Sequence, residues 1–110
     1  MSYFQVRDLF GGRGQVELWD LLQGRSAPPF QEVLRCRLEA GGGVGAHRQA
    51  EFRELVIGLA GKGVARVNGD AFGLGPDQVV FLPLGASLEL ACEGPEPLDY
   101  LIVKARPMVD

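Results

Sequence analysis

The chain has 110 residues, 46% hydrophobic and 23% charged, the balance of one soluble globular domain of ordinary size spanning 1–110. Its net charge of -3, with Arg and Asp/Glu interspersed, gives no basic stripe for phosphates or acidic lipids, which argues against nucleic acid and membrane as partners. No apolar run approaches the roughly 20 residues that cross a bilayer, and Met1 to Asp20 lacks the basic start and apolar stretch of a secretory signal, so the cytoplasm is the expected location.

Apolar residues recur with a period of two along most of the chain, the mark of strands with one buried and one wet face. The first two such segments are Tyr3 to Phe10 and Gln15 to Leu22, whose aromatic residues Tyr3, Phe4 and Trp19 suit a core, a pocket mouth or a dimer seam. Phe30 to Glu39 follows, with Leu34, Cys36 and Leu38 alternating against Arg35, Arg37 and Glu39. Gly41-Gly42-Gly43-Val44-Gly45 lacks the Lys-Ser/Thr ending of a phosphate cradle and reads as a loop. Arg53 to Ala60 is apolar on both faces, with Val56 and Ala60 on the side of Glu54 and Leu55, Ile57 and Leu59 on the other.

Val64 to Val67 ends at Asn68-Gly69, the dipeptide of a two-residue hairpin, because that turn needs positive φ at both central positions. Gln78 to Leu82, Ser87 to Cys92 and Leu98 to Lys104 complete eight or nine short strands, and the tail Arg106 to Asp110 reads as frayed. Ser87 has no triad partner that the sequence identifies. With no long segment of period 3.6, the expected class is all-β, a closed barrel or double sheet. Leu98 to Val103 is apolar on both faces like Arg53 to Ala60, and two such strands need a second cover, which predicts a homodimer. Cys36 and Cys92 sit in alternating apolar patterns without C-x-x-C spacing, so buried free thiols are expected.

One spacing stands out: Gly41, five residues, His47, one residue, Gln49, four residues, Glu54, six residues, Gly61. Further on, Pro83 and Gly85 form a Pro-x-Gly turn. Together these segments resemble the two motifs of the cupin superfamily, and the resemblance, to a small single-domain cupin, implies a double-stranded β-helix (jelly-roll) barrel over most of the chain. The second motif departs from the family pattern: its opening glycine is Asp77, its histidine falls at Leu88, and its final asparagine is Cys92. In the first, Gln49 stands where the second histidine belongs, and His47 is the chain's only imidazole.

Cupins that hold metal resemble one another in presenting three histidines and a carboxylate, so this chain has a degraded set of His47, Gln49 and Glu54. The expected function is binding of a small, mostly apolar molecule, with no cofactor required. His47 and Glu54 are the catalytic candidates for acid-base work, and Gln49, Val56, Leu88, Leu90 and Cys36 complete the ligand wall. Whether the chain is an enzyme stays open. One alternative is a metal-dependent dioxygenase, isomerase or lyase holding Fe, Mn, Ni, Zn or Cu on His47, Gln49 and Glu54. The other is a non-catalytic dimeric interaction protein whose barrel is filled by its own side chains, and a further option for Glu54 is neutralisation by Arg48 or Arg66.

Overall fold

A computed structural model describes residues 3–107, so the last three residues of the tail expected to fray lie outside the described residues. Ten strands follow one another in sequence: β1 (Tyr3–Arg7), β2 (Gln15–Asp20), β3 (Phe30–Leu38), β4 (Gly43–Arg48), β5 (Arg53–Ala60), β6 (Gly63–Val67), β7 (Asp70–Leu74), β8 (Val79–Leu82), β9 (Ser87–Cys92) and β10 (Leu98–Ala105). A single 3-10 turn, Leu9–Gly11, joins β1 to β2. Among the described residues no helix is long and apolar enough to cross a membrane.

All pairings are antiparallel and form two sheets, one in the order β1-β2-β3-β10-β5-β8 and the other β4-β9-β6-β7. The all-β expectation holds, and the two sheets face each other as a jelly-roll barrel. The period-two pattern decides which residues lie between them. Val16, Cys36, Leu38, Val56, Leu82, Leu98 and Tyr100 come from the larger sheet, and Val44, Ala65, Val67, Leu74, Leu88, Leu90 and Cys92 from the smaller. Both cysteines are buried and free. Register carries the alternation across strands: Leu34, Ile102 and Val56 lie opposite one another on β3, β10 and β5.

The Asn68-Gly69 turn connects β6 to β7, with φ of 50° and 87° at its two central residues and Val67 paired to Asp70. β7 shows little alternation because four of its five residues are exposed, which is why it escapes a hydrophobic-pattern reading.

The glycine run is not wholly a loop: from Gly43 onward it is β4. Its glycines let the backbone of the 3-10 turn lie directly on the strand. A Cβ on Gly45 would stand 1.9 Å from the Phe10 carbonyl oxygen, and one on Gly12 would stand 2.1 Å from that of Gly43. Reciprocal hydrogen bonds between Arg13 and Gly43 secure this seam. Phe10 is thereby held over the end of the barrel where His47 emerges.

Candidate functional site

A cavity of about 440 Å³ opens between the sheets beneath the Leu9–Gly11 turn. Leu9, Leu18, Leu34, Val44, Leu88, Leu90 and Ile102 supply its apolar wall, and Cys36 and Tyr100 also line it. Its polar groups are His47, Arg48, Gln49, Glu54, Glu32 and Lys104. Of the residues singled out in the sequence, His47, Gln49, Glu54, Cys36, Leu88 and Leu90 meet here. Val56 does not: it is fully buried in the core and absent from the cavity wall.

Glu54 sits on β5 with 3% of its surface exposed. Gln49 Nε2 donates to its Oε1 at 2.5 Å, while its Oε2 is buried and has no hydrogen-bond partner. Neither arginine proposed for it reaches it. Arg48 Nε donates to the Gly85 carbonyl, and Arg66 pairs with Glu89.

Gln49 is itself held at both ends. Its Oε1 accepts from the backbone N–H groups of Glu51 and Phe52, at 3.1 and 3.2 Å. Those two donors decide which end of the amide is oxygen, so it is the NH2 group that faces Glu54.

His47 lies on β4 directly opposite Leu88 on β9. Its Nδ1 is 2.9 Å from the Gly45 carbonyl oxygen, which can only accept, so Nδ1 is the donor and Nε2 the free nitrogen. The ring stacks on Phe10 with centroids 4.0 Å apart and planes 13° from parallel. His47 and Glu54 therefore share the cavity as separate groups, each with its own partner. No ion pair joins them among the described residues.

Two residues that the sequence reading passed over, Glu32 and Lys104, complete the polar end. Glu32, Lys104 and Glu54 lie side by side across β3, β10 and β5 on the inner face. Lys104 Nζ is 2.8 Å from Glu32 Oε1, so this ammonium is already neutralised by a carboxylate other than Glu54. The signal was a period of two in Tyr100, Ile102 and Lys104, obscured because the outward residues of β10 are apolar as well. Deeper in the wall, burial pushes the Cys36 thiol up to about 12, against an opposing contribution from the neighbouring Tyr100 hydroxyl. Burial also holds the Tyr100 phenol well above its ordinary range, with Cys36 adding to the effect. At neutral pH both are uncharged, and Cys36 has too little thiolate to act as a nucleophile.

The donor set does not fit a tightly held transition metal. The Gln49 oxygen that would have served as a ligand is turned onto two backbone N–H groups, and the amide end facing Glu54 carries protons in place of a lone pair. Leu88 presents hydrocarbon opposite His47. Among the described residues no group of three or more His, Cys, Asp or Glu side chains is placed to hold a metal ion.

No protein-family model matches the chain, and no curated protein does. Solved structures do. A predicted oxalate decarboxylase of Thermotoga maritima superposes with a TM-score of 0.87 at 25% identity, over 97% of this chain and 94% of that one. The cupin domain of Schizosaccharomyces pombe Cnp3 superposes with a TM-score of 0.77 at 18% identity, over 96% and 70% of the two chains. KdgF of a Halomonas species gives 0.73 at 11% identity, over 97% and 90%.

Proposed function

We propose that this chain, a member of the cupin superfamily by fold, works as a receptor for a small and mostly apolar molecule held between its sheets. The cavity carries this proposal. Its volume of about 440 Å³ falls within the roughly 300–1,000 Å³ of small-molecule sites, and like them it is mainly hydrocarbon with a few convergent polar groups. Leu88 supports binding over metal chemistry, because a branched alkyl group where a cupin ligand histidine would stand adds apolar wall and removes a donor.

Saturation-transfer NMR against a panel of small apolar compounds tests the proposal. Binders are expected to compete with one another and to move the methyl resonances of Leu88, Leu90 and Ile102. A silent panel, with those methyls unmoved, would refute it in favour of a protein that acts only through its surface.

A homodimer accompanies this proposal. On the outer face of the larger sheet Leu55, Leu59, Val79 and Phe81 are 38%, 39%, 57% and 54% exposed. Leu55 lies opposite Phe81, and Ile57 opposite Val79, so these side chains form one continuous patch at the β8 edge. A second copy of the same patch supplies the apolar cover this face lacks. Light scattering after size-exclusion chromatography is expected to give twice the chain mass for the parent and the chain mass for Phe81→Asp. A monomeric parent would overturn the dimer and leave the cavity proposal intact.

A further inference from the structure

We infer that the molecule held in this cavity is uncharged and carries a hydroxyl group that donates to Glu54 Oε2, as a phenol or a cyclic alcohol on a hydrocarbon frame would. The inference rests on the proposed binding role and narrows it to a chemical class. Glu54 is 97% buried by its exposure of 3%, lines the cavity, and has one oxygen satisfied by Gln49 and the other by nothing. A buried acceptor without a donor is costly, and a ligand that brings the missing donor recovers that cost on binding.

The surrounding charges select the donor. A carboxylate or phosphate group would face Glu54 and find Lys104 already paired to Glu32 at 2.8 Å. An ammonium group would bring three donors and the desolvation cost of an ion to one unpaired carboxylate oxygen in a mostly hydrocarbon cavity. A sugar would bring hydroxyls on every side, and those turned away from the polar end would face Leu34, Val44, Leu88, Leu90 and Ile102, which pair none of them. One hydroxyl on an apolar body matches the one acceptor of the cavity that is both buried and unpaired, and the flat Phe10–His47 stack at the mouth suits a planar frame.

Calorimetric titration of the full chain with 2-naphthol, 2-methoxynaphthalene and 2-naphthoate separates the possibilities. The hydroxyl compound is expected to bind about tenfold to a hundredfold tighter than its methyl ether, the range for a hydrogen bond to a charged group, and the naphthoate is expected to bind weakest. Glu54→Gln is expected to shrink the preference for 2-naphthol over the ether. Because that variant changes a buried side chain, the parent protein supplies an independent readout. The carboxyl 13C resonance of Glu54 is expected to shift with 2-naphthol and to stay in place with the ether. Equal binding of hydroxyl and ether, with methyl shifts at Leu88 and Leu90, overturns the Glu54 anchor while leaving a hydrophobic receptor. Tightest binding by the naphthoate overturns it in favour of an anion site, and no binding by any of the three overturns both the anchor and the receptor.

Discussion

Replacing Gln49 with Leu removes one amide of nearly the same size and tests whether Glu54 depends on it. The amide makes three hydrogen bonds: one from Nε2 to a carboxylate oxygen with 3% of its residue exposed, and two into its Oε1 from the Glu51 and Phe52 backbones. Loss of a hydrogen bond to a buried charged group costs about 1.5–3 kcal/mol. The two backbone donors lie next to exposed Glu51 and turn partly to water, adding about 0.5–1 kcal/mol. The expected loss is about 2–4 kcal/mol, a fall in Tm of about 10 °C or more for a domain of this size. Urea unfolding of Gln49→Leu, Glu54→Leu and the double variant completes the cycle. The double variant is expected to be more stable than the sum of the singles by about 1.5 kcal/mol or more, since removing both partners leaves no orphaned carboxylate. A Gln49→Leu effect within about 0.5 kcal/mol, the range of an ordinary surface substitution, or strict additivity in the cycle, would refute the Gln49–Glu54 argument and reopen Gln49 as a metal ligand.

The raised pKa of Cys36 makes the folded state hold a proton that the unfolded chain releases near pH 9, so stability falls as pH rises between about 9 and 12. Between pH 8 and 10 the parent is expected to lose about 1.4 kcal/mol more than Cys36→Ala, read from urea midpoints at the two pH values; equal losses would place the thiol in contact with water. Gly45→Ala drives a Cβ to 1.9 Å from the Phe10 carbonyl oxygen and is expected to cost more than about 2 kcal/mol and to abolish the ring-current shift of Phe10 on His47. An unchanged His47 spectrum would show that the turn does not rest on β4. Leu88→His sets a second imidazole opposite His47 in the β4–β9 register and is expected to raise Ni or Zn affinity at least about tenfold by titration. No gain over the parent would mean that the two positions do not face the same space.

What the sequence could reveal follows from which forces leave a one-dimensional trace. Alternation in β3 and β9 is written by burial, while β5 and β10, apolar on both faces, are bounded by the Gly, Pro and charged breaks around them, so all four are legible to within a residue or so, and Asn68-Gly69 is legible because only a few residues tolerate its backbone. β4 is illegible for the opposite reason. Its glycines answer to a backbone lying across them from residues 10–13, a contact with no periodic signature, so a strand looks like a loop.

The site divides in the same way. Spacing brings His47, Gln49, Glu54 and Leu88 to one cavity, because spacing along paired strands is register. Spacing gives no account of what each side chain does once there. Gln49 has the composition of a ligand, yet two backbone N–H groups two and three residues downstream turn its oxygen away and make it a clamp on Glu54. Lys104 and Glu32 are 72 residues apart in the numbering and meet only because β3 and β10 pair. That pairing engages Lys104, the cation beside Glu54 in register, and Glu54 Oε2 is left buried without a partner. With Leu88 and the Gln49 amide in the cavity and Lys104 held by Glu32, Glu54 is left as an unpaired acceptor among apolar side chains, and on the inference drawn above the molecule that satisfies it brings its own proton.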